Sequence, residues 1–285
     1  MRTLYPAGVA CDDLAFAEGL RWHVGRLWLS DVLGERVYSF APAGEKREEA
    51  VLFTRPSGLG FTPDGRLLIV SMRDCKLLCR EADGLRTVAE LGALAGGDLN
   101  DMVVGADGSA YIGNWGFDLF AHAEPRPAAI IRVDPQGEAR IVAEDLDFPN
   151  GCAITPDGGT FYVAESFAHR LTAFSITPDG SLTARRVVAE LPERVPDGIC
   201  VDAENHVWVS CFGSHEFLRI SPAGEITTRV ALPESHRAVS CALGGPARRT
   251  LFLATAETTL DELTRGKARS RIEYCEVDVP GAGWP

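Results

Sequence analysis

Apolar runs of four to six residues recur along this chain, and they come in pairs around short polar turns. In one pair, Pro196-Asp197-Gly198-Ile199-Cys200-Val201 leads through Asp202-Ala203-Glu204-Asn205-His206 into Val207-Trp208-Val209-Ser210. Runs this short, bounded by turn formers, predict strand, hairpin and strand rather than helix. The unit appears six times, and its opening polar residues are Glu18, Ser57, Asn100, Asn150, Asp197 and Ser240, 39 to 50 residues apart. A period of that size predicts blades.

A third run and a second turn signal follow each of the first five pairs. Residues 37–40 precede Pro42-Ala43-Gly44, residues 130–133 precede Pro135-Gln136-Gly137, and residues 171–174 precede Pro178-Asp179-Gly180. A fourth run, such as residues 140–143 or 186–189, closes most units. The chain therefore reads as all-β: a six-bladed β-propeller with four-stranded antiparallel blades around a central channel, one domain over residues 1–285. No helical periodicity is sustained, and only the stretch from Gly84 to Gly97 leaves room for a single helical turn. The basic stretch 261–271 reads as a solvated excursion between the third and fourth strands of the last repeat. Residues 272–277 read as a strand, with residues 3–10 pairing near it to close the ring and remove exposed edges.

Composition narrows the partners. A net charge of −12 disfavours nucleic acid and anionic membrane surfaces, which call for a basic patch. No run approaches the length of a membrane span, and the amino terminus lacks the apolar region of a secretory leader. The expectation is a cytoplasmic protein acting on a small molecule, with its oligomeric state open. Of eight cysteines, Cys79, Cys152, Cys200, Cys211, Cys241 and Cys275 fall inside apolar strands, which predicts buried free thiols rather than a disulfide framework.

The chemistry is expected at the axis. Innermost strands line a propeller's channel, so the six opening residues form a ring around one point. All six bear oxygen, and two carboxylates with two amides in a closed throat call for a compensating hard cation. Turn propensity explains any one of these residues but not the Glu at position 18. His23, in a turn, and His169 and His215, past their strands, read as exposed or structural. Glu165 and Ser166 sit at channel level as second-layer groups. Neither a Gly-x-Ser-x-Gly elbow nor a phosphate-cradling loop occurs.

The runs Ala17-Glu18-Gly19, Leu99-Asn100-Asp101, Phe148-Pro149-Asn150-Gly151, Ala164-Glu165-Ser166 and Val195-Pro196-Asp197-Gly198-Ile199 resemble the SMP-30/gluconolactonase/luciferin-regenerating enzyme family over nearly the whole chain. That family is one of six-bladed propellers with one catalytic divalent metal, and many members hydrolyse lactones. The resemblance implies that Glu18, Asn150 and Asp197 hold the ion; two carboxylates and two amides suit calcium, magnesium and manganese, and zinc tolerates them. It further implies that Asn100 contacts substrate or a water on the metal, and that Asp197 is the general base. Members that bind aldonolactones carry Arg two residues before that Asn, where this chain has Asp98. Together with Trp115, Phe117, Phe120, Phe148, Phe167 and Phe212 near predicted strand ends, and a possible lid over residues 119–129, this departure gives an apolar substrate equal standing with a sugar. Asp98 and Trp115 are accordingly candidate substrate contacts. Two alternatives stand beside a lactonase: a metal enzyme of the same fold catalysing phosphotriester hydrolysis, a lyase or an isomerase step, and a noncatalytic binding propeller.

Overall fold

The structure is a computed structural model that describes residues 1–41 and 44–283. The turn signal at Pro42-Ala43 lies outside the described residues. β1 (Arg2–Leu4) and β2 (Gly8–Leu14) come first. The first complete blade follows: β3 (Ala17–His23), β4 (Arg26–Asp31), β5 (Arg36–Phe40) and β6 (Lys46–Val51). Next come β7 (Pro56–Phe61), β8 (Leu67–Ser71), β9 (Lys76–Glu81) and β10 (Gly84–Glu90), then β11 (Leu99–Val104), β12 (Ala110–Asn114), β13 (Ala128–Val133) and β14 (Ala139–Leu146). The fourth blade is β15 (Pro149–Ile154), β16 (Thr160–Glu165), β17 (Arg170–Ile176) and β18 (Leu182–Glu190). The fifth is β19 (Pro196–Val201), β20 (Val207–Cys211), β21 (Glu216–Ile220) and β22 (Ile226–Ala231). β23 (Arg237–Gly244), β24 (Thr250–Glu257), the helix α1 (Leu260–Thr264) and β25 (Arg269–Glu276) end the chain's regular structure.

The six antiparallel blades form a propeller, as the repeat predicted. Their inner strands contact one another in the cyclic order β3, β7, β11, β15, β19, β23 and back to β3. Closure differs in detail from expectation. β2 pairs antiparallel with β25 as the outermost strand of the last blade, Gly8 opposite Tyr274, whereas β1 pairs parallel with β22 of the blade before, Thr3 opposite Arg229. Residues 3–10 are thus split between two blades. Stretch 261–271 accordingly connects the second and third strands of its blade. It also begins with α1, which Thr259 caps in a reciprocal pair with Glu262. The segment beginning at Gly84 is β10, and the single helical turn comes after it, Ala95 N–H donating to Leu91 O at 3.0 Å.

Apolar side chains pack between blades rather than at the axis. Leu59, Ile69 and Val37 fill the wedge between the first two blades, and Ile199, Val209 and Leu171 that between the fourth and fifth. The axis is therefore left to polar groups. Inner strands approach so closely that a Cβ on Gly58 would stand 2.4 Å from Met102 N, and one on Gly151 2.5 Å from Asp197 O, so only glycine fits behind those ring residues. All eight cysteines are free thiols.

Candidate functional site

Every inner strand slips register against its partner where the ring residue stands. The shifts fall between Glu18 and Arg21, Pro56 and Leu59, Leu99 and Met102, Pro149 and Cys152, Pro196 and Ile199, and Ala238 and Ser240. A bulge re-aims a side chain out of strict alternation. Here it turns one polar residue per blade toward the axis.

Glu18, Asn100, Asn150 and Asp197 line one cavity of about 150 Å³ at the mouth of the channel. Holding one water takes roughly 15 Å³ by the same measure, so the space admits a small organic molecule. The two serines of the ring do not line it. Ser57 Oγ instead donates to Glu18 Oε1 at 2.6 Å, and Ser240 Oγ accepts from Leu20 N–H at 3.3 Å.

The hydrogen bonds orient both amides. Asn150 Nδ2 donates to Ser166 Oγ at 3.2 Å, and that hydroxyl donates to Pro196 O at 2.6 Å. Asn100 Nδ2 donates to Pro149 O at 3.3 Å. Both amide oxygens are left without a protein donor among the described residues. Glu18 and Asp197, partly open to the cavity, have no cationic side chain within ion-pair distance among the described residues. Burial pushes the Glu18 carboxyl up to about 7, with the Asp101 charge adding and the Ser57 hydroxyl opposing. Asp197 is held well above the usual carboxylate range by burial, then by Glu18 and Asp101, against the Asn150 amide. Two buried carboxylates thus destabilise each other's charged form and lack a counterion among the described residues, while two amides line the same cavity. This donor set fits a hard divalent cation. A site built of three or more His, Cys, Asp or Glu does not occur among the described residues.

Apolar groups make the walls. Trp115 stacks on Phe148 with ring centres 5.5 Å apart, and Phe148 on Phe167 at 4.7 Å. Phe120, Leu119 and Phe212 also line the space. Asn114 fixes the base of the loop after β12. Its Oδ1 accepts from Gly96 and Gly116 N–H at 3.2 and 3.1 Å, and its Nδ2 donates to Ala129 O at 2.8 Å. That loop covers the cavity with Leu119 and Phe120, while residues 121–127 are exposed. Leu260, Leu263 and Thr264 of α1 form a second cover that the basic composition of its loop concealed.

Some expected residues lie elsewhere. Asp98 does not line the cavity: it sits in the turn before β11, raised by burial and by Asp118 and lowered by Arg73 and Arg55. Glu165 is fully buried on Arg170, Arg185 and Thr172, so only Ser166 of that pair reaches the site. His23 stacks on Phe61 at 3.8 Å instead of standing free in a turn, and His215 Nδ1 bonds to His236 O at 2.9 Å. None of these histidines lines the cavity. Sequence reasoning missed Arg55, a cavity residue whose signal was its place two residues before Ser57.

A family model described as the SMP-30/gluconolactonase/LRE-like region matches residues 16–257. Regucalcin of Danio rerio is 29% identical over 203 residues, which cover 70% of this chain and 67% of that protein. A 6-deoxy-6-sulfogluconolactonase of Pseudomonas putida is 26% identical over 176 residues, 60% of either chain. Among solved structures, a calcium-binding protein, regucalcin, from Agrobacterium tumefaciens matches with a TM-score of 0.79 at 25% identity over 99% of both chains. A luciferin-regenerating enzyme matches at 0.81 with 18% identity over 97% of both, a likeness of fold alone.

Proposed function

The chain belongs to the SMP-30/gluconolactonase/LRE-like family, and from that premise we propose that it is a divalent-cation-dependent hydrolase that opens a lactone or a related ester. One observation carries the reading: Glu18 and Asp197 share a cavity with Asn100 and Asn150 and have no counterion among the described residues. Glu18, Asn150 and Asp197 would hold the ion, with Asn100 toward the substrate. Which ion it is follows from none of these residues, since calcium, magnesium, manganese and zinc all accept oxygen donors. When bound, the cation supplies a Lewis acid for the ester carbonyl and lowers the pKa of a water.

The chain's own groups do the rest. The Asp197 carboxylate accepts the proton of the attacking water and returns it to the leaving alkoxide, the two halves of general base and general acid work. Ser57 fixes one oxygen of Glu18, which suits a ligand and charge balancer better than a base. Trp115, Phe148 and Phe120 exclude bulk water and favour an apolar acyl body. A polyhydroxylated sugar would leave its hydroxyls against aromatic faces, so gluconolactone is the weaker substrate in this reading.

The deciding experiment is metal analysis of the purified protein, then a panel of alkyl, aryl and sugar lactones with and without chelator. Stoichiometric metal and chelator-sensitive turnover of the apolar lactones are the expected results. Bound metal without lactone turnover would transfer the site to another reaction, and protein that takes up no metal would leave a binding scaffold.

A further inference from the structure

The residues two positions before the ring are Phe16, Arg55, Asp98, Phe148, Val195 and Ala238. Four of them, Phe16, Arg55, Phe148 and Val195, line the cavity. Three are apolar. The fourth is a guanidinium, in a wall otherwise dominated by aromatic and aliphatic side chains.

Arg55 is held in place by its backbone. It adopts a left-handed conformation, φ 68°, which a non-glycine residue keeps only when its surroundings impose it. Its N–H donates to Leu52 O at 3.0 Å and its carbonyl accepts from Met72 N–H at 2.9 Å. Phe148 occupies the matching position two blades on with the same sign of φ, 57°, and it too faces the cavity. The backbone thus presents both side chains to the substrate space.

The guanidinium lacks an acceptor among the described residues. Its Cζ lies 4.7 Å from the centre of the Phe120 ring, and its Nη1 is buried with no hydrogen-bond partner. Asp98 and Glu35 are its nearest carboxylates in electrostatic effect, yet neither comes within ion-pair distance. Trp115 Nε1 is likewise buried without an acceptor among the described residues, and its ring centre lies 5.4 Å from the same Phe120. Arg73 packs its guanidinium 5.1 Å from that ring as well, which adds positive charge at one point of a protein with a net charge of −12. Buried donors left unpaired are costly, most of all charged ones. Two of them flanking one ring await an acceptor.

We propose that the substrate is an apolar ester or lactone that also bears a carboxylate, and that Arg55, assisted by Trp115 Nε1, receives that carboxylate. The ester half of this statement rests on the hydrolase reading; the carboxylate half does not. Arg73 does not line the cavity, so a monoanion suits the pair that does, one cation beside one neutral donor, whereas a dianionic phosphate would meet Glu18 and Asp197 across the same cavity.

Phenylacetate and phenylacetamide have nearly the same shape and differ in charge. Titrated calorimetrically into the cation-loaded full chain, the carboxylate is expected to bind about tenfold or more tighter than the amide, the effect of one charge-assisted hydrogen bond. Arg55→Gln should bring the two to parity, and Arg55→Lys should retain part of the preference. Trp115→Phe, which keeps a ring and removes Nε1, should weaken the carboxylate alone. Thermal melts of each variant separate lost binding from lost folding. Parity in the parent protein, no detectable phenylacetate binding at millimolar concentration, or a preference that survives Arg55→Gln would overturn the proposal; the last would put the carboxylate on the cation. Lactone turnover without this preference would sink the carboxylate alone. The preference without turnover would sink only the hydrolase.

Discussion

Arg21 Nη2 donates to Asp101 Oδ1 at 2.7 Å in the closed middle of the channel, and both side chains are more than nine-tenths buried. Arg21 Nη1 also donates to Leu20 O at 2.8 Å, and Nη2 to Met102 O. Asp101 accepts a further 2.8 Å bond from its neighbour's backbone N–H. Neither member of the pair lines the cavity of Glu18 and Asp197, while Arg21 lines a separate cavity together with Leu20, Val103 and Ile199.

Removing one partner of a buried pair leaves the other charge uncompensated, at a cost of about 3–5 kcal/mol. Arg21→Met should therefore be strongly destabilised in urea, and adding Asp101→Leu should recover most of the loss. A single variant as stable as the parent would mean that the charge is satisfied in another way.

The pH behaviour of the metal-free protein follows from Glu18. Its carboxyl is raised from 4.5 to about 7 by burial, so the folded state binds a proton that the unfolded state has released. The stabilisation is full below pH 4.5 and is lost as the pH rises through about 7. Asp197 is shifted in the same direction. In chelator, the melting temperature should fall across that window, and Glu18→Gln should flatten the slope. Added calcium should reverse the trend, because the cation binds the form that has lost its protons. A chelated protein whose stability rises across the window would contradict this assignment.

The two amino-terminal strands should separate in deletion experiments. β2 supplies the outer strand of the last blade, whereas β1 only extends the neighbouring blade. Deleting residues 1–5 should lower the melting temperature modestly. Deleting residues 1–14 exposes the edge of β25 and should cause extensive loss of stability and aggregation. Equal melting temperatures for both deletions would refute the division of labour.

Much of this was readable before any coordinates because the ring residues carry their own local signal. A polar residue, then usually glycine, then an apolar run states both the strand and the close approach of its neighbour, as Asn150-Gly151 and Asp197-Gly198 do. What stayed hidden depends on partners distant in sequence. Whether Thr3 or Gly8 joins a given blade is decided by edges some 230 to 270 residues away, Arg229 and Tyr274. Asp98 held the position of interest in its own repeat, yet the cation that faces the cavity comes from the preceding blade as Arg55. Helix α1 was masked because its charged residues are those of a solvated loop, and only its uncharged Leu260, Leu263 and Thr264 touch the site.

Asp197 and Glu18 are both carboxylates of one cavity, and substitution can tell their roles apart. The Ser57 hydroxyl ties down Glu18 Oε1, while no side-chain hydroxyl or cation holds Asp197 among the described residues. Glu18→Gln should thus act mainly on cation affinity, and raising the cation concentration should restore a large share of kcat. Asp197→Asn keeps an oxygen for the ion but loses the proton acceptor. Its kcat should stay about 10²–10⁴-fold down even when calorimetry finds the cation bound. The pH profile should report the same difference: the parent's rate rises with pH as the base loses its proton, and the Asp197→Asn residue of activity is flat over that range. Full turnover by cation-loaded Asp197→Asn would move the base to another group and leave Asp197 a ligand alone.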